Sequence, residues 1–345
     1  MSRMSQQSPP PDRSASTSPL DSHSPETVFS LEEKFKNGLS LQEISEHAPV
    51  DDIQQEEIDA LYARDMFNLS MEERNEALHD VHGISKVISE DPAFVLKKRS
   101  ELRMAIERLA KKKTFVAYEQ VMATNPYYIT SESFEVMFLR ATRWNPKMAA
   151  KKSLNFLEAK LDLYGPSLLT RSIRIEDLDK DDKKCLESGF FQFSPVRDVS
   201  GRAILCGFPP LLNYKNIKNL LRSFVYLVMV MLEDPETQKS GLVMVGTNTG
   251  KDARVDRSAV WNIQRIYSHA LPMRIVSIHY CYDNFAVRPM MTLAMLVMGA
   301  SSRVRFRAHY GTFEENQYKL LTFGIPKKAL PISMNGEVKL SLIHI

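Results

Sequence analysis

Arg274-Ile275-Val276-Ser277-Ile278-His279-Tyr280-Cys281-Tyr282 runs through Asp283-Asn284 into a second apolar stretch, Phe285–Met298. The first run is short and rich in β-branched and aromatic residues, so it reads as a buried strand. The second has helical length and carries Met290, Met291, Met295 and Met298 around Leu293, Leu296 and Val297, interrupted by Arg288 and Pro289. Working outward, the same texture recurs. Apolar runs lie at Phe190–Phe193, Ala203–Phe208, Leu242–Val245 and Val304–Ala308, and helical stretches at Ile217–Leu232 and Ser258–His269. Strands alternating with helices predict an α/β domain with a mostly parallel sheet. The sequence contains no internal repeat.

Upstream of Gly165 the pattern is helical. Ser70-Met71-Glu72-Glu73 and Ser30-Leu31-Glu32-Glu33 have capping-box spacing, in which serine caps the first turn and glutamate reaches back. Pro92 sits at a first turn, and Leu102, Ile106 and Leu109 mark one face of a basic helix. Phe134, Met137, Phe138 and Ala141 form the next apolar stripe. Asn145-Pro146 opens a helix that Gly165 closes. Residues 1–28 hold eight serines and five prolines. They bury too little apolar surface to offset the entropy of ordering, so they read as a disordered tail.

Composition removes several classes. The 345 residues carry a net charge of only +3, far below a dedicated nucleic-acid binder. The longest apolar run, Phe224–Leu232, is too short to span a bilayer, and no apolar h-region marks a signal peptide. Cys185, Cys206 and Cys281 form no CxxC pair and fit small buried residues in a reducing compartment. The expected location is therefore cytoplasmic. The small net charge hides an asymmetry: residues 29–90 carry net −10, residues 97–113 net +6 and residues 114–345 net +9. A basic body behind an acidic leader favours anionic surfaces; solvated helix faces explain the same numbers.

Familiar catalytic motifs fail on inspection. Three residues lie between Gly246 and Gly250, one short of a phosphate loop, and Asp252 follows Lys251 where Ser or Thr is required. His79 and His82 have helical spacing but no further converging ligands for a metal. His279 lies in an apolar strand and reads as a hydrogen-bonded core histidine. Without a nucleophile, a base or a dinucleotide fingerprint, the expectation is a protein that is not an enzyme, with no cofactor and no metal.

Three signals survive. Phe138-Leu139-Arg140-Ala141 is followed by Trp144 and a helix carrying Ala149 and Ala150. Asp198-Val199-Ser200-Gly201-Arg202 precedes the strand Ala203–Leu205. Phe323-Gly324-Ile325-Pro326 leads through Ala329-Leu330-Pro331 to Asn335-Gly336-Glu337. Their order over residues 90–340 resembles the CRAL-TRIO family, the lipid-binding domain of yeast phosphatidylinositol-transfer, tocopherol-transfer and retinaldehyde-binding proteins. The first segment is similar to that family's helical subdomain, the second to the lead-in of its lipid domain, and the third to its closing Leu-Pro and Gly-Gly. The chain departs from the pattern at Ala203, where the family has proline, at Glu337 and at Tyr282-Asp283-Asn284. Asn262 stands where the phosphatidylinositol binders place a headgroup glutamate.

The resemblance implies an all-helical N-terminal subdomain and then an α/β domain in which a mobile gate helix covers an apolar pocket. Val243, Val245, Ile278, Tyr280 and Tyr282 would line the sheet side. Met290, Met291, Leu293, Met295, Leu296 and Met298 would belong to the gate, since methionine packs against variable acyl chains. On composition alone the same segment reads as a Met-rich core helix. Ser302-Arg303-Val304-Arg305-Phe306-Arg307 alternates with strand period, placing its arginines on one face. Arg303 and Arg305 are then candidates for an anionic headgroup; a charged edge strand is the other reading. The domains expected are a tail at 1–28, an acidic helical leader at 29–90, a helical subdomain at 91–165 and a lipid-binding domain at 166–340. The function implied is binding one phospholipid, phosphoinositide or isoprenoid and transferring or presenting it at an anionic membrane surface as a peripheral protein. The alternative is a non-exchanging scaffold that recruits protein partners through residues 1–90.

Overall fold

The computed structural model describes residues 55–248, 256–284 and 298–330, together with 287, 291, 294 and 295. The tail 1–28, the leader up to residue 54, Gly250-Lys251-Asp252, Met290, Leu293, Leu296 and the closing motif from Pro331 to Glu337 lie outside the described residues.

The first half is helical, and its helices begin where side chains satisfy the first free N–H groups. Helices α1 (Gln55–Asn68) and α2 (Met71–His82) belong to the acidic leader. Ser70 Oγ accepts from the Glu73 N–H at 3.2 Å, and the Ser70 N–H donates to Glu73 Oε2 at 2.8 Å, so the expected capping box forms. Helix α3 (Pro92–Ala110) starts on an Asp91 cap, and α4 (Val116–Thr124) and the short α5 (Tyr127–Thr130) follow. Helix α6 (Glu132–Ala141) carries the Phe-Leu-Arg-Ala segment, and α7 (Pro146–Tyr164) starts on Asn145, whose Oδ1 accepts from the Lys147 and Met148 N–H groups. Helices α3, α6 and α7 pack together around Phe134, Phe138 and Phe156, with ring centroids 4.8 and 5.5 Å apart along that series. Glu135, buried in the same interface, accepts from Arg99 Nε at 2.7 Å and Arg103 Nε at 2.5 Å.

The second half is a five-stranded sheet whose order in space follows the chain. After α8 (Lys180–Glu187) come β1 (Phe191–Phe193) and β2 (Ala203–Gly207), paired antiparallel. Helices α9 (Ile217–Met231) and α10 (Pro235–Ser240) lead to β3 (Leu242–Asn248), and α11 (Arg257–His269) leads to β4 (Ile275–Tyr282). The short helix α12 (Ala300–Arg303) precedes β5 (Phe306–Tyr310), and α13 (Phe313–Leu321) follows it. Strands β2 to β5 are parallel. The fold is thus the mixed α/β architecture that the alternating runs predict.

The faces of the sheet separate by residue parity. Ala203, Leu205 and Leu242 pack with Phe224, Val228 and Met231 of α9, continuous with the helical core. On the other face Ile204, Cys206, Val243 and Val245 pack with Leu320 of α13 and with Ile325 and Leu330. All three cysteines are buried and free. Burial pushes the Cys206 and Cys281 thiols up to about 12, so both behave as inert packing groups.

One expectation fails locally. The arginines of 302–307 do not share a strand face: Arg303 ends α12, Arg305 lies in the following turn, and only Arg307 is in β5. Small residues Ala300, Ser301 and Ser302 close a helical turn first, with the Arg303 N–H bonded to Gly299 O and the Val304 N–H to Ala300 O. The strand starts at Phe306, where pairing with Ile278 begins.

Candidate ligand pocket

Ile278, Tyr280 and Tyr282 alternate along β4 and face the same side as Met244 of β3 and Phe306 of β5. Gly246 is opposite Tyr280 in the register; a Cβ there would lie 2.6 Å from Tyr280 Cδ2, so the missing side chain lets the tyrosine ring lie against the strand. Two apolar clusters form above this face. Ile278, Met298 and Phe306 join with the partly buried Met244, Tyr280, Ala294 and Met295. Tyr282, Val287 and Met291 join with Val260 of α11 and Tyr280. The structure therefore brings six predicted pocket residues together: Ile278, Tyr280, Tyr282, Met291, Met295 and Met298.

Val243 and Val245 are not part of that group. They are fully buried on the opposite face, against Cys206, Leu320 and Ile325, and so face away from the Met-rich segment. Their register accounts for this: both pair with β4 positions of the other parity, Ser277 and His279, rather than with Ile278 and Tyr280. Met290, Leu293 and Leu296 lie outside the described residues.

The arginines have partners within the chain. Arg303 is 0% exposed; its Nε donates to Asp65 Oδ2 of α1 at 2.6 Å, and its Nη1 donates to Met295 O. Arg303 thus joins the leader to the Met-rich segment. Arg305 Nε donates to Asp80 Oδ2 of α2 at 2.9 Å, and its Nη2 lies 3.5 Å from Glu76. Asp80, itself buried, also accepts from Arg274 Nη1 at 3.1 Å and from Ser85 Oγ at 2.6 Å, with Arg143 at 3.6 Å. Burial lowers the Arg274 pKa and the Asp80 carboxylate opposes that shift.

These contacts share one location. Arg202 precedes β2, Arg274 precedes β4 and Arg305 precedes β5, so the C-terminal end of α2 sits across the starting edge of the parallel strands. Arg202 completes the arrangement: its Nε donates to Asp198 at 2.5 Å, its Nη1 to Asp80 O at 2.5 Å and its Nη2 to Phe323 O at 2.9 Å. The Val199 N–H donates to Gly324 O at 3.0 Å. Gly83, at φ 69°, follows α2 in left-handed conformation, and a Cβ there would lie 2.3 Å from Ser200 Oγ. Two of the three segments singled out in the sequence, Asp198–Arg202 and Phe323-Gly324, are therefore one structural knot that clamps the leader. Ligands of open α/β sheets bind at the other edge, beyond the carboxyl ends of the strands. In the first segment, Arg140 holds Glu90 through Nε at 2.8 Å and Nη2 at 2.5 Å, and Gln238 through Nη1 at 2.8 Å.

No protein-family model matches the chain, and no curated protein matches its sequence. Among solved structures it is similar to the crystal structure of Sfh5. The TM-score is 0.42 and the identity 13%, over 64% of this chain and 82% of that one. So distant a likeness assigns neither ligand nor activity.

The histidines fall where a structural reading puts them. His279 Nδ1 and His309 Nε2 are 3.0 Å apart in rings inclined by 6°, with Phe323 packed on both. Burial, then the neighbouring His309 and the Arg202 charge, hold His279 well below its usual pKa, so the pair is neutral. His82 stacks on Phe323 at 5.1 Å. Among the described residues no group of three or more His, Cys, Asp or Glu side chains is arranged to hold a metal, and no helix is long and apolar enough to cross a membrane. Sequence reading missed the partners of the arginines, Asp65, Glu76 and Asp80. The available signal was the net −10 of the leader upstream of a basic body.

Proposed function

We propose that this protein is a non-enzymatic lipid carrier or lipid presenter of CRAL-TRIO type. A phospholipid or isoprenoid would lie between the β4 face and the Met-rich segment, and contact with an anionic membrane would let it exchange. The observation that carries this reading is the apolar surface of Ile278, Tyr280 and Phe306 roofed by Met291, Met295 and Met298. Methionine is unbranched and adapts to chains of different shape, which a fixed core does not require. The order of the three sequence segments supports it as well.

The energetics are those of exchange. Burying an acyl chain gains about 0.8 kcal/mol per CH₂, so a sixteen-carbon chain gains on the order of 10 kcal/mol and gives up nearly as much on leaving a bilayer. Transfer is then close to balanced, and opening of the Met-rich segment sets its rate. Lys111, Lys112 and Lys113, exposed beyond α3, supply attraction to anionic lipid.

Met295→Asp places a carboxylate in the roof and should abolish lipid transfer between vesicles without unfolding the chain. Transfer at the wild-type rate by a folded Met295→Asp protein would remove the roof from the mechanism. A second reading, a scaffold that does not exchange ligand, is favoured by one observation: Arg303 and Arg305 are already neutralised by leader carboxylates. The carrier reading accommodates this by leaving any headgroup to other side chains.

A further inference from the structure

Lys160 of α7 is 2% exposed, and a buried ammonium is costly without a counter-ion. Its Nζ donates to Arg171 O at 2.5 Å and to Tyr128 Oη at 2.8 Å, and it lies 4.5 Å from the centroid of the Tyr128 ring. Phe156, one helical turn earlier on the same face, lies within 5.9 Å. These partners are dipoles and π faces. Among the described residues no carboxylate pairs with this lysine. The third proton of the ammonium is left without a partner.

The same lysine borders a cavity of about 490 Å³ between α6, α7 and the end of α9. That volume falls within the ~300–1,000 Å³ of small-molecule sites. Phe134, Met137, Phe156 and Met229 give it apolar walls, and Ser131, Ser133 and Ser172 contribute hydroxyls. Arg171 also lines it, with its guanidinium held by Asp177 at 2.7 Å through both terminal nitrogens. Glu233 at the lip is solvent-exposed and so is screened.

We propose that this cavity binds a small amphipathic carboxylate, whose head group is the missing counter-ion of Lys160 and whose apolar body lies along Phe134, Met137, Phe156 and Met229. The site is separate from the sheet face of the lipid proposal and does not depend on it. Lys160 is the buried cation on the wall, whereas the exposed Arg171 is already paired with Asp177. The lysine therefore sets the sign of the head group, and the apolar walls set the rest of the ligand.

A pH signature follows. Burial, aided by the Arg171 charge, brings the Lys160 amine down to about 7 in the free protein. Only the protonated form pairs with a carboxylate, so binding must raise that pKa and take up a proton. Octanoate is ionised throughout this range and is a suitable probe. Titration calorimetry of the full chain should give one octanoate site that is about tenfold weaker at pH 8 than at pH 6, with nearly one proton taken up at pH 8. Neither 1-octanol, which lacks the charge, nor inorganic phosphate, which lacks the apolar body, should bind there. Lys160→Met should abolish binding, and Met229→Trp, which fills the cavity and keeps the lysine, should do the same.

Octanoate affinity that is equal at both pH values, or matched by 1-octanol, would overturn the ion pair. Binding that survives Met229→Trp would overturn the cavity, even if Lys160→Met fails to fold. If binding survives both substitutions and is lost in Met295→Asp, it belongs to the sheet face and this proposal is wrong.

Discussion

Arg303 and Asp65 are 238 residues apart in sequence and 2.6 Å apart in space, both almost completely buried. Losing one member of such a pair leaves an uncompensated charge, which typically costs about 3–5 kcal/mol. Asp65→Asn should therefore lower the urea unfolding free energy by an amount in that range, while the double change Asp65→Leu, Arg303→Met should recover most of it. If Asp65→Asn is neutral, the pair does not fix the leader. At this scale the sequence was only partly legible. The composition of the Met-rich segment fitted a core helix as well as a gate, and only the family resemblance set Met291, Met295 and Met298 over the sheet; His279 was read from its apolar neighbours. Val243 and Val245 face away from Ile278 and Tyr280, which parity within one strand does not reveal and the β3–β4 register does. The partner of Arg303 was invisible, since no local pattern encodes a contact across 238 residues.

Among the elements, β4 and β5 are joined by their ladder and by the neutral His279–His309 pair. Burial, then Lys319 and Arg307, lower His309 to about 4. A histidine depressed in the folded state stabilises the fold above its unfolded pKa of ~6.5, and that contribution disappears as pH falls toward 4. The stability of the native chain should accordingly fall by about 3 kcal/mol between pH 6.5 and 4 from His309 alone, and His309→Gln should flatten that slope in urea titrations at successive pH values. An unchanged slope would mean that the pair titrates freely. Element positions were the most legible part of the chain. Every expected strand occurs within three residues of its apolar run, and Ser70, Asp91 and Asn145 cap helices as local chemistry requires. The exception, 302–307, followed strand period, but its small residues favour a helical turn and no sheet partner exists before Phe306.

For the molecule as a whole, the starting edge of the parallel sheet and its β4 face have different occupants. The starting edge is closed by the end of α2, through Asp80, Arg202, Arg274 and Arg305. The face beside β4 is covered by the Met-rich segment. The described part of the acidic leader therefore acts on its own chain, through the buried ion pairs of Asp65 and Asp80. Asp80→Asn, which leaves three arginines facing a weaker acceptor, should expose α2 to limited proteolysis while the sheet keeps its circular dichroism signal; protection equal to wild type would show that the clamp rests on apolar contacts alone. The charge asymmetry was legible in the sequence, but not its target, because net charge carries no address. The most direct test of the central claim is native mass spectrometry of the full chain purified from cells, followed by extraction and identification of whatever is bound. The lipid-carrier account predicts one hydrophobic molecule per chain, displaced in Met295→Asp. An empty protein that also takes up no lipid from vesicles would contradict it.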